Sequence, residues 1–528
     1  MTGAVSTAVH DLVREAATLY ADDPVVLRAL ETYERRLQEP LRVAVAGMVK
    51  AGKSTLLNAI IGEEIAPTDT GECTKVLTWY RYSDTPRITL YPVIGSPRAL
   101  PVIRNDGRLT LDLGQTRAEE VERLVVDWPA KKLRDITLID TPGIASLSTE
   151  VSMRSTDFLT PEDAPSEADA IIYLMRHLHA ADLNFLESFR DTTVGQSNAI
   201  NALAVLSRAD EIGAGRIDSL LSAKEIADRY RRDGTLRAVA LGVVPMAGLL
   251  AQSARSLRQT EFTALATLSR LGRAERERLM ISVDRFVRPT EGVDVSPEVR
   301  AALLDRFGLF GIRLASALLR GGFDDATDLA HELARRSGLD ELLRFIGVQF
   351  QARAAHLKAR ATLVGVDTVL RAHPRAGTQQ LAASIERIQS SAHEFRELRL
   401  LAAARTAGLP VAPELAEEAE RLIGGQGVAL PIRLGVAEDA PAAELRSVAM
   451  AALQRWRTLA ESPATDRAGA EVCEIVVRSC EAALAQIPAE SGGRERVRLV
   501  LGPEPTAGPG EQAGDEPGPG QHQLRHQE

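Results

Sequence analysis

Apolar residues in the first forty positions recur at helical spacing. Val5, Val9, Leu12, Val13, Ala16 and Leu19 form a stripe that Val25, Leu27, Leu30, Tyr33 and Leu37 resume after Pro24. The pattern predicts one amphipathic helix, stopped by Pro40. The texture changes at Leu41. Short runs that are apolar almost throughout, Val43–Ala46, Ile136–Ile139, Ala170–Leu174 and Ala202–Leu206, alternate with helical stretches such as Thr55–Ile61 and Asp182–Phe189. Strands apolar on both faces are what a parallel sheet covered by helices on both sides requires. Residues 41–285 therefore read as an α/β domain, with Val76–Tyr82 and Arg87–Val93 as an extra hairpin at one sheet edge.

Beyond residue 286 the strand texture almost disappears. Helical patterns cover Pro297–Leu319, Asp324–Ser337, Leu339–Arg371, Gly377–Ala407, Ala412–Leu422, Ala442–Ala460 and Thr465–Ile487. Breaks at Gly321-Gly322, Pro374, Pro410, Gly424-Gly425 and Pro463 predict an antiparallel bundle. The expected organisation is an N-terminal helix over 1–40 packing with the bundle, the α/β domain over 41–285, the bundle over 286–490 and a flexible, disordered tail over 491–528. The tail is rich in Gly, Pro, Gln and Glu and holds almost no large apolar residue from Gly502 onward.

Composition narrows the function classes. At 528 residues the chain exceeds one ordinary core. A hydrophobic fraction of 45% with 26% charged residues excludes global disorder and fibrous proteins. The net charge of −9 argues against a nucleic-acid partner. The longest apolar run, 238–251, contains Pro245 and falls short of the roughly 20 residues of a membrane span. Residues 1–10 lack a secretory pattern. The cysteines Cys73, Cys473 and Cys480 suit a reducing compartment, and on one helix Cys473 and Cys480 stand too far apart to bridge. An intracellular, cytoplasmic protein is expected.

Candidate chemistry begins at the end of the first strand. Gly47-Met48-Val49-Lys50-Ala51-Gly52-Lys53-Ser54 matches the phosphate-binding pattern G-x-x-x-x-G-K-[ST] between a strand and a helix that contains Thr55. Glycines let backbone N–H groups wrap phosphates, and the helix N-terminus adds a favourable dipole. Lys53 is assigned to the β- and γ-phosphates and Ser54 to Mg2+. Asp140-Thr141-Pro142-Gly143 fits D-x-x-G, with Asp140 holding Mg2+ through water and the Gly143 N–H sensing the γ-phosphate. Ser207-Arg208-Ala209-Asp210 approximates [NT]-K-x-D. A carboxylate at Asp210 can accept both guanine donors, which adenine does not offer, and Arg208 can stack over the base in place of lysine. Together, in this order, the motifs favour GTP over ATP. Thr68, Thr70 and Thr74 all lie where a switch threonine would close over Mg2+; Thr74, immediately before a strand, is preferred, and simple turn chemistry is the other reading. Ala247, in Pro245-Met246-Ala247-Gly248, is expected to line the base pocket through its backbone.

These motifs and the helical half behind them resemble the dynamin superfamily of large GTPases. The likeness is most specific to the isoniazid-inducible dynamin-like family of actinobacteria, on its IniC side. It is carried by E-P-L-R-V-A-V-A-G-M-V-K-A-G-K-S-T-L-L-N-A at 39–59, I-A-P-T-D-T-G-E-C-T at 65–74 and S-R-A-D-E-I-G-A-G-R-I-D at 207–218. L-R-Q-T-E-F at 257–262 and S-V-D-R-F-V-R at 282–288 extend it. The resemblance implies GTP hydrolysis coupled to G-domain dimerisation and stalk movement. It also implies membrane remodelling by fission, fusion or repair at the inner face of the plasma membrane, with itself or a sister dynamin-like protein as partner.

Several assignments keep a second reading. Lys50 can act as a catalytic cation supplied in cis or be a solvated lysine. Ile144 stands where small GTPases carry a water-orienting glutamine, so hydrolysis needs another group or a partner. Leu422–Val436, apolar and glycine-rich with Arg433 its one charge, is either a membrane-lipid wedge or a packed connector between helices. His177 and His179 have no matching ligand cluster. The alternatives to a membrane-active GTPase are a monomeric regulatory switch and a GTP-binding scaffold that needs a sister subunit.

Overall fold

The computed structural model describes residues 2–68, 75–105, 107–143, 158–159, 166–189 and 201–488. The first forty residues form two helices rather than one, α1 (Thr2–Leu19) and α2 (Pro24–Gln38). The Asp23 carboxylate accepts the N–H groups of Val25 and Val26, and Pro24 opens the helix. Residues 20–23 are thus a turn leading into a capped start. Both helices pack on the helix Ala354–Ala372. Contact with α2 is close: a Cβ added to Gly365 would lie 2.2 Å from Cζ of Tyr33.

Eleven strands follow among the described residues: β1 (Leu41–Gly47), β2 (Thr78–Tyr82), β3 (Arg87–Pro92), β4 (Arg98–Leu100), β5 (Ile103–Asn105), β6 (Arg108–Thr110), β7 (Val121–Trp128), β8 (Ile136–Asp140), β9 (Ala170–Met175), β10 (Ala202–Ser207) and β11 (Val243–Met246). Nine of them build one sheet in the order β11-β10-β9-β1-β8-β2-β7-β3-β4, and β5 pairs with β6 alone. The block β11-β10-β9-β1-β8 is parallel. Its central strands β1, β9 and β10 are buried at every residue, as their continuous apolar runs demand.

The expected hairpin of residues 76–82 and 87–93 does not form. β7 lies between its two arms, parallel to β2 and antiparallel to β3. The buried Asp127 of β7 explains the arrangement: Oδ1 accepts Arg81 of β2 at 2.9 Å and Oδ2 accepts Arg87 of β3 at 3.2 Å.

The helical patterns are interrupted where side chains are needed elsewhere. The stretch 339–371 splits into Leu339–Phe345, a wide turn over Ile346–Phe350, a tight turn over Gln351–Arg353 and Ala354–Ala372. From these turns Gln349 and Arg353 donate to the carbonyls of Gly425 and Gly424. The stretch 377–407 breaks at Ala392 into Thr378–Ser391 and His393–Thr406. Helices between 248 and 287 share an apolar cluster with Pro297–Arg320 and Ala326–Arg336, and that cluster crosses residue 286.

The stretch 422–436 is the packed connector, not an exposed wedge. Leu422, Ile423 and Leu434 are buried, and Arg433 turns inward to Leu422 O and to Glu397. Four separate side chains satisfy its backbone carbonyls, which fixes the segment against the bundle.

Glu397 is the centre of that anchorage. Burial raises its pKa, yet contacts with His393, Arg433 and Ser479 outweigh burial and hold the carboxyl at about 2, against 4.5 for an ordinary glutamate. A depressed folded-state pKa stabilises above the unfolded value and is lost as pH falls through the folded one. The expected result is a loss of roughly 3 kcal/mol between about pH 4.5 and 2, read as the difference in denaturation midpoint between the wild type and Glu397→Gln. Parallel pH profiles of the two proteins would refute it.

Candidate functional site

The four motif segments meet at the carboxyl ends of the parallel block. β1 ends at Gly47, β8 at Asp140, β10 at Ser207 and β11 at Met246, the edge at which open α/β sheets bind ligands. The loop after β1 feeds the helix α3 (Lys53–Ile61), whose N-cap Gly52 is left-handed at φ +98°. Gly47 has φ +146°, and a Cβ there would stand 2.4 Å from Leu174 O. Only glycine lets the loop leave the sheet along this path.

Lys53 reaches back over the loop, its Nζ 3.5 Å from Gly47 O. Burial draws its ammonium below the ordinary lysine range, and the negative charge of Asp140 works against that. Ser54 Oγ donates to Asp140 Oδ2 at 2.9 Å. Asp140 is buried, its carboxyl pushed up to about 6 by desolvation against the opposing effects of Lys53 and Ser54. Its Oδ1 has no hydrogen-bond partner among the described residues. A hydroxyl and a buried carboxylate with a spare oxygen, side by side below a phosphate loop, are a hard-oxygen donor set that fits Mg2+.

Thr141 anchors the next segment through its N–H and hydroxyl, both donated to Val45 O. Gly143 crosses the loop so closely that a Cβ would come within 2.6 Å of Val49 Cγ2. Met48, Val49 and Lys50 are exposed at the loop tip. Ser207 donates to Met175 O at 3.1 Å, which braces β10 at the cavity edge. Arg208 sits at the rim, paired with Glu211.

A cavity of 170 Å³ lies between these elements, lined by Ala51, Gly52, Thr55, Ser207, Arg208, Asp210, Glu211, Met246, Gly248 and Leu249 among others. It brings the phosphate loop, the carboxylate of Asp210 and the end of β11 together. Burial pushes the Asp210 carboxyl upward. Ala247 does not line this cavity: it is fully buried and its N–H is donated to Ser337 O. The neighbours Met246, Gly248 and Leu249 form that wall. A larger cavity of 730 Å³, beside residues 230–244, holds none of the motif residues.

Thr70, Thr74, Cys73 and Ile144 lie outside the described residues, and Thr68 is exposed. The rings of His177 and His179 stand 6.3 Å apart, and no cluster of three metal-binding side chains of the His, Cys, Asp and Glu types occurs among the described residues. Cys473 and Cys480 are buried free thiols. Sequence reasoning missed Glu211, whose spacing from Arg208 on one turn was the available signal. It also missed Leu249, which no motif marks.

A profile of the Dynamin family matches residues 43–192. Isoniazid-induced protein IniC of Mycobacterium tuberculosis is 41% identical over 473 residues, spanning 90% of this chain and 96% of its own length. The chain belongs to the isoniazid-induced branch of the dynamin family. Isoniazid-induced protein IniA of the same organism is 32% identical over 156 residues, 28% of this chain and 23% of its own length. The bacterial dynamin-like protein of Nostoc punctiforme is 35% identical over 118 residues, 20% of this chain and 17% of its own length. This dynamin-family chain is accordingly a P-loop GTPase that binds GTP and GDP, and its fold joins a mostly parallel mixed sheet to a long helical region. No helix among the described residues is long and apolar enough to cross a membrane.

Proposed function

We propose that this dynamin-family GTPase hydrolyses GTP with Mg2+ and uses pairing of its G domains to move its helical half during membrane remodelling. The observation that carries the nucleotide reading is the convergence of Lys53, the Ser54–Asp140 pair and Asp210 around one loop and one cavity. In this reading Ser54 and Asp140 hold Mg2+, which neutralises charge on the β- and γ-phosphates. Lys53 neutralises the remainder, and Asp210 selects guanine. Thr74 closes the switch loop, and Lys50, exposed at the loop tip, is free to act on developing charge.

Residues 41–285, with the helices up to Arg336 that share their apolar cluster, serve as the catalytic half, and the later helices with residues 1–40 as the moving half. The partner is a second copy or a sister protein of the same family. With Leu422–Val436 packed inside the bundle, lipid contact by that stretch is withdrawn.

Turnover per molecule tests the proposal. The specific rate of GTP hydrolysis should climb with protein concentration and climb again on anionic liposomes. A slow rate indifferent to concentration and to lipid would favour the regulatory switch or the scaffold that needs a sister subunit, for which the isoleucine at 144 already speaks.

A further inference from the structure

Two short segments of the catalytic half turn large apolar side chains outward. Ile217, in the turn before the helix Ser219–Arg232, is 57% exposed, and Leu221 in the first turn of that helix is 68% exposed. Ile281 and Val283, at the corner between the helices Arg273–Leu279 and Val283–Val287, are 64% and 51% exposed. One side chain joins the two segments. Arg313, from the helix Pro297–Arg320, gives Nη1 to Gly215 O at 2.8 Å and Nε to Met280 O at 3.1 Å. Both pairs therefore belong to one surface. The core beneath it is filled by their neighbours: Leu279, Met280 and Phe286 are buried and Leu220 packs on the same cluster. The outward four are not needed there.

The surroundings are basic, in a chain whose net charge is −9. Between residues 270 and 288 six arginines stand against three carboxylates, Glu275, Glu277 and Asp284. Arg273 is paired with Glu277, and Arg216 of the other segment with Asp218. Arg270, Arg285 and Arg288 are exposed, and their side chains have no hydrogen-bond or ion-pair partner among the described residues. Arg276 turns inward to Leu271 O. Burial and then the charge of Arg320 draw its guanidinium below the ordinary arginine range, so a further cation lies close by.

Exposed apolar groups at helix corners, ringed by arginines, suit an anionic interface with an apolar layer behind it. A second copy docked patch to patch would set arginine against arginine, which is repulsive. Acidic headgroups take the guanidinium groups instead, and the acyl boundary below them takes the apolar side chains.

We propose that Ile217, Leu221, Ile281 and Val283, with Arg278 and Arg285 beside them in the chain, form a docking surface on the catalytic half for a membrane rich in anionic phospholipid. The proposal rests on the membrane reading of the protein and gives that reading a lipid contact away from the stretch 422–436.

Flotation of the full chain with vesicles tests it. Wild type should float with vesicles containing phosphatidylglycerol and not with phosphatidylcholine alone, and the binding should weaken as salt rises. Ile281→Ser combined with Val283→Ser should lower the partition coefficient about tenfold. Arg278→Glu combined with Arg285→Glu should lower it more, since each basic residue near an anionic surface is worth about fivefold. Turnover of GTP without lipid should stay at the wild-type level in both variants, because neither pair lines the nucleotide cavity. Ile281→Trp should be quenched by brominated phosphatidylglycerol.

Wild-type flotation of both double variants would overturn the proposal and leave the membrane reading standing. A wild type that floats with neither vesicle would refute the membrane reading and this surface with it. Variants that float normally but change the sedimenting species would overturn the proposal in favour of a protein contact. Should the serine pair fold poorly, the glutamate pair carries the same measurement.

Discussion

Lys53→Ala is expected to abolish GTP turnover and to weaken nucleotide binding by roughly two orders of magnitude or more. Truncating one partner of a desolvated charge pair costs about 2–5 kcal/mol, and each 1.4 kcal/mol is about tenfold in affinity. The Lys53 ammonium is already drawn down by burial and offset by the charge of Asp140. A polyphosphate brought into the loop adds negative charge beside this half-buried cation. The variant also removes the cation that opposes the upward push on the Asp140 carboxyl, so the Mg2+ donor set becomes harder to ionise. Calorimetric titration with GDP and GTP, with and without Mg2+, together with a phosphate-release assay, checks the prediction. A thermal melt matching the wild type would show that the loss is local to the site. Wild-type turnover in the variant would remove Lys53 from the site altogether.

The largest stability effect should come from a residue outside the nucleotide chemistry. Asp169, immediately before β9, has a side chain with no exposure. Its Oδ1 accepts Arg36 of α2 through Nη2 at 2.8 Å and Nε at 3.2 Å, and its Oδ2 accepts the Arg42 N–H of β1 at 2.9 Å. Asp169→Ala leaves a 4%-exposed guanidinium with Ser166 O as its remaining hydrogen-bond partner among the described residues. Breaking a buried pair from one side costs about 3–5 kcal/mol. Urea denaturation should show a loss of that size, and Arg36→Met combined with Asp169→Leu should recover most of it, because removing both charges removes the uncompensated one. A loss below about 1 kcal/mol in the single variant would mean that water reaches Arg36 and that the pair is weaker than its burial implies.

The same contact shows where sequence reading stops. Arg36 lies beside the apolar stripe that ends at Leu37, and Asp169 lies immediately before the apolar run that begins at Ala170. Nothing in the local pattern pairs two residues 133 positions apart. The hairpin expected from residues 76–93 failed for a related reason. Strand propensity is local, but the partner of a strand is chosen across the sheet, and the carboxylate of Asp127 ties Arg81 and Arg87 to β7. Leu422–Val436 was legible as apolar, glycine-rich and singly charged. Whether such a stretch faces lipid or core depends on what waits for it, and here Glu397 takes Arg433 while Gln349, Arg353 and Arg405 take its carbonyls.

What the sequence by itself determined is the chemistry carried by short spacing. The run from Gly47 to Ser54 announces a phosphate loop, and the aspartate that ends β8 and the aspartate after β10 match the patterns from which a metal carboxylate and a guanine acceptor are proposed. Each is a local pattern of backbone freedom and functional groups. The parallel block was equally legible, since burial on both faces forces continuous apolar runs. The tertiary structure alone decided which side chains meet: the Arg313 bonds that join residues 215 and 280, the exclusion of Ala247 from the cavity wall, the two-helix start of the chain and the burial of the stretch near Arg433. Those outcomes rest on pairings between distant segments. Their free energy lies in matching a donor or a charge to a partner that only the folded chain brings within 3 Å or so.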